Sequence, residues 1–129
     1  MQSASIYASL KQCDRVRQIL RQEVALVERG TSDLGFAEAR CGETALARKT
    51  LAHWERLRAE GQFISAWETA AIYAGLGDSV NVYAYLHQAL TEHDWELIHL
   101  SSSQFFAPYR ASPTFQSILR KVGMTAPGA

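Results

Sequence analysis

The sequence predicts an all-α protein whose helices come in pairs that repeat along the chain. Residues 63–93 contain two runs of apolar side chains at helical spacing, and Gly77 and Asp78 separate the runs. A similar plan begins near Leu34, so the period is about 34 residues, which is typical of helical repeat arrays. Every proline lies at or after Pro108, so the preceding span lacks the strongest helix breaker. No segment alternates apolar and polar residues, so no sheet is expected.

Turn and capping residues divide the chain into helices. Gly42, Gly61 and Gly77 stand where amphipathic runs end, as glycines after helices do. Asp78 and Ser112 have side chains that accept hydrogen bonds from a first helical turn, and proline after Ser112 suits a first helical position. Helices are therefore expected at 3–11, 14–29, 32–41, 43–60, 63–76, 79–93, 95–101 and 112–122.

The composition indicates one globular domain with balanced charge. The chain has 129 residues, of which 47% are hydrophobic, so it can bury a core. Its 13 basic and 13 acidic residues argue against nucleic acid as the main ligand, because phosphate binding requires an excess of positive charge. No apolar run approaches the roughly 20 residues that span a bilayer. The N-terminus lacks the features of a secretory signal.

Cysteine and histidine spacing indicates neither a metal site nor a cofactor. Cys13 and Cys41 fall near the ends of helices, outside any metal-binding spacing. They are expected to be buried free thiols, which favours a reducing cytoplasm. Histidines at the i, i+4 spacing of a helical metal site are also lacking. No catalytic motif is recognisable, so the sequence predicts a protein that is not an enzyme.

Three units and the tail carry a family resemblance. The unit after residue 30 matches a repeat pattern at Leu34, Gly35, Gly42, Ala47 and Leu51, and the next unit matches it at Tyr73, Gly77, Leu86 and Ala89. A degenerate first unit fits at Ala4, Tyr7, Val16 and Leu20. These residues resemble the tetratricopeptide repeat (TPR). Glu38 departs from the pattern, which has an aromatic residue there. It is expected to be a structural carboxylate, paired with Arg40 or with a basic residue of the next helix.

The tail resembles the capping segment that follows the last repeat in many bacterial TPR proteins. The residues that carry this likeness are Trp95, Leu100, Phe105, Pro108, Arg110, Pro113, Phe115, Leu119, Arg120 and Gly123. The resemblance implies a right-handed superhelix of antiparallel helix pairs that is closed by a capping helix. A single domain is expected over 1–124, with repeats 1–29, 30–61 and 62–94 and a cap over 95–124. We call this cap the tail below, and the short C-terminal tail proper is residues 125–129. We expect Trp95, Phe105, Phe115 and Leu119 to form the apolar face of the cap.

The resemblance also implies a binding groove, because the first helices of TPR units line a concave face. The groove residues carried over to this chain are Ser9, Phe36, Ala39, Arg40, Trp67 and Ala71. Phe36 and Trp67 are expected to anchor a peptide, since aromatic side chains dominate interface energies, and Arg40 to pair a carboxylate. The alternative is that Phe36 and Trp67 pack against the tail.

The predicted function is protein–protein interaction. A peptide or partner domain would bind in the groove, and the chain would form the docking part of a bacterial regulatory or signalling protein. Self-association is the alternative, as a homodimer through residues 1–28, where Tyr7 and Leu10 form an apolar face. A small-molecule-binding or enzymatic helical domain is a third alternative, in another class, and it would require an enclosed pocket with converging polar groups.

Overall fold

A computed structural model describes residues 12–15, 18 and 32–123, and these residues contain helices and turns but no strand. This confirms the all-α class for the described part of the chain. The helices are α1 (Ser32–Arg40), α2 (Thr44–Ala59), α3 (Ala66–Leu76), α4 (Ser79–Thr91), two 3-10 helices (Trp95–His99 and Gln104–Tyr109) and α5 (Pro113–Val122). The predicted helices at 3–11 and 14–29, and the first repeat, lie almost entirely outside the described residues.

The helix ends follow the residues that predicted them. Gly77 ends α3 in the left-handed conformation, at a φ of 75°, where a side chain would be strained. The side chain of Asp78 then accepts a hydrogen bond from the Asn81 N–H and starts α4. The Ser112 hydroxyl accepts from the Phe115 N–H in the same way at the start of α5. Local capping chemistry therefore sets these boundaries.

One helix start and one connecting segment differ most from the sequence prediction. The helix expected from residue 63 begins at Ala66, because the side chain of Ser65 caps it by accepting from the Glu68 N–H. No helix was predicted between residues 101 and 112, but this segment contains the 3-10 helix Gln104–Tyr109, which Ser103 caps. This second element carries the aromatic side chains that cover the neighbouring helices.

The helices pack as two adjacent pairs. Helix α1 lies against α2 and α3, and α3 lies against α4. Helices α1 and α3 approach closely at Gly75 in α3, where an added Cβ would lie 2.9 Å from the carbonyl oxygen of Phe36. Ala47, Ala70 and Ala89 have no exposed surface, and their small side chains permit close packing of the helices. The first helices of the pairs, α1 and α3, are therefore neighbours.

Two apolar clusters hold the described elements together. The larger cluster joins α3 and α4 to the tail, where Phe106, Phe115, Ile118 and Leu119 are fully buried. The smaller cluster joins α2 to α3 and to the segment before it. It consists of Ala47, Leu51, Trp54, Ile64 and Ile72. The tail is thus part of the main core rather than an appendage.

A disulfide joins Cys13 to Cys41, whose Cα atoms are 5.5 Å apart. The prediction of two free thiols is therefore wrong. The cysteines are 28 residues apart in the sequence, and only the fold brings them within the distance that a disulfide requires. The bond ties residues near position 13 to the end of α1.

Within the described ranges, no helix is both long enough and apolar enough to cross a membrane.

Candidate binding surface

The tail covers the face of α1 and α3 that the sequence analysis identified as a groove. The edge of the Phe105 ring meets Phe36 at a centroid distance of 5.0 Å, and Phe106 meets Trp67 at 4.9 Å. The Tyr109 hydroxyl donates to the carbonyl oxygen of Ala74 at 3.2 Å. We call the surface formed by Phe36 and Trp67, together with the three tail aromatics, the covered face.

The predicted anchor residues are therefore not open to solvent. Phe36 is 3% exposed and Trp67 is 4% exposed. Ala71 is fully buried in the larger cluster, and Ala39 is half-buried between α1 and α3. The expectation that these side chains form the floor of an open groove is corrected, and the alternative, packing against the tail, describes Phe36 and Trp67. Ser9 lies outside the described residues.

Arg40 is the predicted groove residue that remains exposed. It lies at the end of α1, and its charge reaches the phenol of Tyr109. Burial raises the pKa of Tyr109, and the positive charge of Arg40 opposes that rise. Arg40 therefore lies at the edge of the covered face, accessible to an acidic group, and its predicted pairing with a carboxylate of a partner stays a prediction.

Hydrogen bonds fix the start of the tail to the start of α3. The Asp94 carboxylate accepts from the Ser65 hydroxyl at 2.7 Å and from the Trp67 N–H at 3.5 Å. Its second oxygen accepts from the Glu96 N–H and starts the first 3-10 helix. A buried carboxylate with three donors holds its position firmly, because an unpaired one would be costly to bury. The tail therefore leaves α4 in a defined direction.

Large apolar side chains are exposed beside this junction. Trp95 is 70% exposed and Ile98 is 60% exposed on the same 3-10 helix. Phe63, which is 70% exposed, precedes Ser65 on the segment that Asp94 binds. The expectation that Trp95 belongs to the buried face of the cap is wrong, whereas Phe115 and Leu119 are buried as predicted. We call the pair Trp95 and Ile98 the Trp95 surface.

The environment of the Trp95 surface is acidic. The pKa of Glu96 rises from 4.5 to about 7 because burial disfavours its charge and because Glu68 and Asp94 add negative potential. Sequence reasoning missed this site, since it treated Trp95 as core. The signal was the acidic run around it: Glu92, Asp94 and Glu96 are spaced two residues apart.

A second buried carboxylate lies on α1. Glu38 is 7% exposed, and burial raises its pKa to about 7, with the charge of Glu43 acting in the same direction. The sequence predicted a structural carboxylate paired with a basic residue. A close cation would lower the pKa of Glu38, so its rise does not support that pairing.

Comparisons with known proteins add no relative. A scan against protein-family models, a search of curated proteins and a search of solved structures each return no match to this chain. Among the described residues, no group of three or more His, Cys, Asp or Glu side chains is placed to hold a metal ion.

Proposed function

We propose that this chain is a helical-repeat domain for protein–protein interaction, arranged as in TPR proteins. The packing of α1 on α3, with α2 and α4 as the second helices of each pair, supports this proposal. The resemblance of the tail to a TPR cap supports it as well. The right-handed superhelix and the role in a bacterial regulator are part of the proposal.

The Trp95 surface is the partner-binding site in this proposal, rather than the covered face. Its exposed Trp95 and Ile98 are the observation that carries the proposal, because clustered exposed apolar side chains mark interaction sites. Tryptophan is also among the residues that contribute most to binding when an interface buries them.

The partner segment has a basic side chain next to an apolar one. An apolar side chain would pack on Trp95 and Ile98. A lysine or arginine would meet the negative potential that Glu68 and Asp94 create at Glu96, and its positive charge would favour the ionised form of Glu96. A positive charge can also stack on the Trp95 ring. This complementarity predicts binding that weakens as salt concentration rises.

Selection from a displayed random-peptide library tests the proposal. Selected peptides should carry lysine or arginine beside an apolar residue. Replacing both Trp95→Ala and Ile98→Ser should weaken them by at least about 2 kcal/mol. Val80→Ser is the matched control, since Val80 is an exposed apolar residue on α4. Peptides that bind the double variant as tightly as the original chain would contradict the proposal.

The cellular location stays a proposal. The prediction of a cytoplasmic protein rested on free thiols, and the Cys13–Cys41 disulfide removes that basis. Disulfides persist mainly in oxidising compartments, so the disulfide argues against a reducing one. Alkylating the thiols at the moment of cell lysis tests this: a cytoplasmic protein should have both cysteines modified.

The self-association predicted through residues 1–28 lies outside the described residues and stays a prediction.

A further inference from the structure

A shallow cleft of about 220 Å³ lies between α2 and α3, away from the tail. Its lining residues are Arg48, Leu51, Ala52, Glu55 and Tyr73. The four residues from α2 occupy one helical stripe, because they are three or four positions apart. We call this site the Tyr73 cleft.

Tyr73 forms the wall of the cleft, and Tyr85 packs against it. Tyr73 stacks on Tyr85 of α4, with ring centroids 5.5 Å apart and planes 14° apart. The Tyr85 hydroxyl donates to the Glu55 carboxylate at 3.3 Å. The Arg58 guanidinium lies 5.5 Å from the centre of the Tyr85 ring and donates to the Ile64 carbonyl oxygen at 3.2 Å. The wall is therefore fixed before any ligand arrives, which reduces the ordering that binding would require.

Two opposite charges lie along the cleft. Arg48 and Glu55 are both exposed and are seven residues apart on α2, so their backbones are separated by about 10 Å. The Arg48 charge is close enough to Tyr73 to act on its phenol. Between the two charges lie the apolar side chains of Leu51 and Ala52. The cleft thus presents a cation, an apolar floor and an anion in that order.

This order selects for a ligand with two charges. A purely anionic ligand would pair with Arg48 but be repelled by Glu55, and a purely cationic one would meet the reverse. A ligand with a carboxylate and a cation, joined by a short apolar chain, pairs with both. Its cation would also lie near the aromatic ring of Tyr73, which lines the cleft. The volume is below the 300–1,000 Å³ of drug-sized pockets, which favours a ligand of about one amino-acid residue.

We propose that the Tyr73 cleft binds the end group of a basic amino acid, either free lysine or arginine or the C-terminal lysine or arginine of a peptide. The α-carboxylate pairs with the Arg48 guanidinium, the methylene chain lies on Leu51 and Ala52, and the side-chain cation lies between Glu55 and Tyr73. This inference does not depend on the proposed protein-interaction function, because the Tyr73 cleft and the Trp95 surface share no residue.

Calorimetric titration of the full chain with matched ligands tests the proposal. The probes are Nα-acetyl-lysine, its amide, Nα-acetyl-norleucine, free lysine, and a short peptide that ends in lysine. Nα-acetyl-lysine should bind with a Kd of about 1 mM. The amide lacks the carboxylate and norleucine lacks the cation, so each should bind at least tenfold more weakly. Binding of free lysine as tight as the peptide's identifies the amino acid as the source, and tighter peptide binding identifies a C-terminus.

Variants locate the site. Arg48→Gln and Glu55→Gln should each weaken Nα-acetyl-lysine at least tenfold while the circular dichroism spectrum stays unchanged. Lys49→Gln and Arg56→Gln are the matched controls, because these residues are exposed on α2 but do not line the cleft. The proposal is overturned if no probe binds, if norleucine binds as tightly as lysine, or if the cleft variants bind like the controls.

Discussion

The covered face and the Tyr73 cleft are both aromatic surfaces beside α3, but the chain fills one and leaves the other open. On the covered face, Trp67 and Phe106 meet edge to face, and both are buried. In the cleft, Tyr73 and Tyr85 stack, and one side remains open to solvent. The difference teaches that an aromatic residue at a repeat position does not by itself indicate a binding site, because the same chain can supply its partner.

Removing the tail should have the largest effect on this comparison. A chain that ends after Asp94 loses the fully buried Phe106, Phe115, Ile118 and Leu119 and leaves Trp67 exposed. It should lose its cooperative thermal transition or aggregate, as measured by circular dichroism and light scattering. A chain that ends after Gly123 is the control, and it should have the same melting temperature as the full chain. A truncated chain that stays monomeric and equally stable would show that the tail is not part of the core.

The contact between α1 and α3 should be the next most sensitive feature. Gly75→Ala places a Cβ 2.9 Å from the Phe36 carbonyl oxygen, and this backbone atom cannot move without shifting α1. The expected loss is about 1–3 kcal/mol in urea unfolding. At Gly35 an added Cβ lies 2.7 Å from Cγ1 and Cδ1 of Ile72, which is fully buried and, as a β-branched residue in a helix, nearly fixed at χ1, so Gly35→Ala should cost a similar amount. Negligible losses at both glycines would argue against a rigid contact between the helices.

The buried Glu38 carboxylate on α1 should make the stability of the protein depend on pH. The pKa of Glu38 is raised from 4.5 in the unfolded chain to about 7. Its contribution to stability is therefore complete below about pH 4.5 and is lost as the pH rises through about 7. Glu38→Gln should be more stable than the original chain at pH 8 by about 1–3 kcal/mol, and the difference should shrink toward pH 5. A glutamine variant that is less stable at pH 8 would reveal a stabilising partner for the carboxylate.

Removing one tyrosine hydroxyl from the covered face and one from beside the Tyr73 cleft should give the smallest changes in stability, and the two substitutions are closely matched. Tyr109→Phe removes a half-buried donor to the Ala74 carbonyl oxygen and should cost about 1 kcal/mol. Tyr85→Phe removes an exposed bond to Glu55 and should cost less than about 0.5 kcal/mol. Chemical denaturation measures both. A larger loss at Tyr85 would reverse the assignment of filled and open surfaces.

Local features of the fold were predictable from the sequence. The Gly77 turn and the Ser112 cap depend on one or two residues and their neighbours, and both were predicted correctly. Helix pairs followed from periodicity, because a period near 3.6 residues reports which side chains face the core. The start of α3 was predicted three residues too early, because Ser65 caps the helix within the apolar run that begins at Phe63.

Contacts between distant residues were not predictable. Phe36 and Phe105 are in contact although they lie about half the chain apart in the sequence. Periodicity within a helix does not indicate which distant surface the tail will cover. The Cys13–Cys41 disulfide and the exposure of Trp95 also depend on contacts between distant residues, so the sequence did not predict them. The Tyr73 cleft left a partial signal, because Arg48, Ala52 and Glu55 share one face of a predicted helix. Its wall, however, depends on how α4 packs on α3.

Trp67 and Trp95 together test the central claim, that the tail fills the predicted groove and leaves the Trp95 surface exposed. Urea unfolding of Trp67→Ala should show a loss of about 3–5 kcal/mol, because a buried aromatic side chain is removed. Trp95→Ala should change the free energy of unfolding by less than about 0.5 kcal/mol, since Trp95 is 70% exposed. A Trp67→Ala variant as stable as the original chain would contradict the account, because Trp67 would then face an open groove.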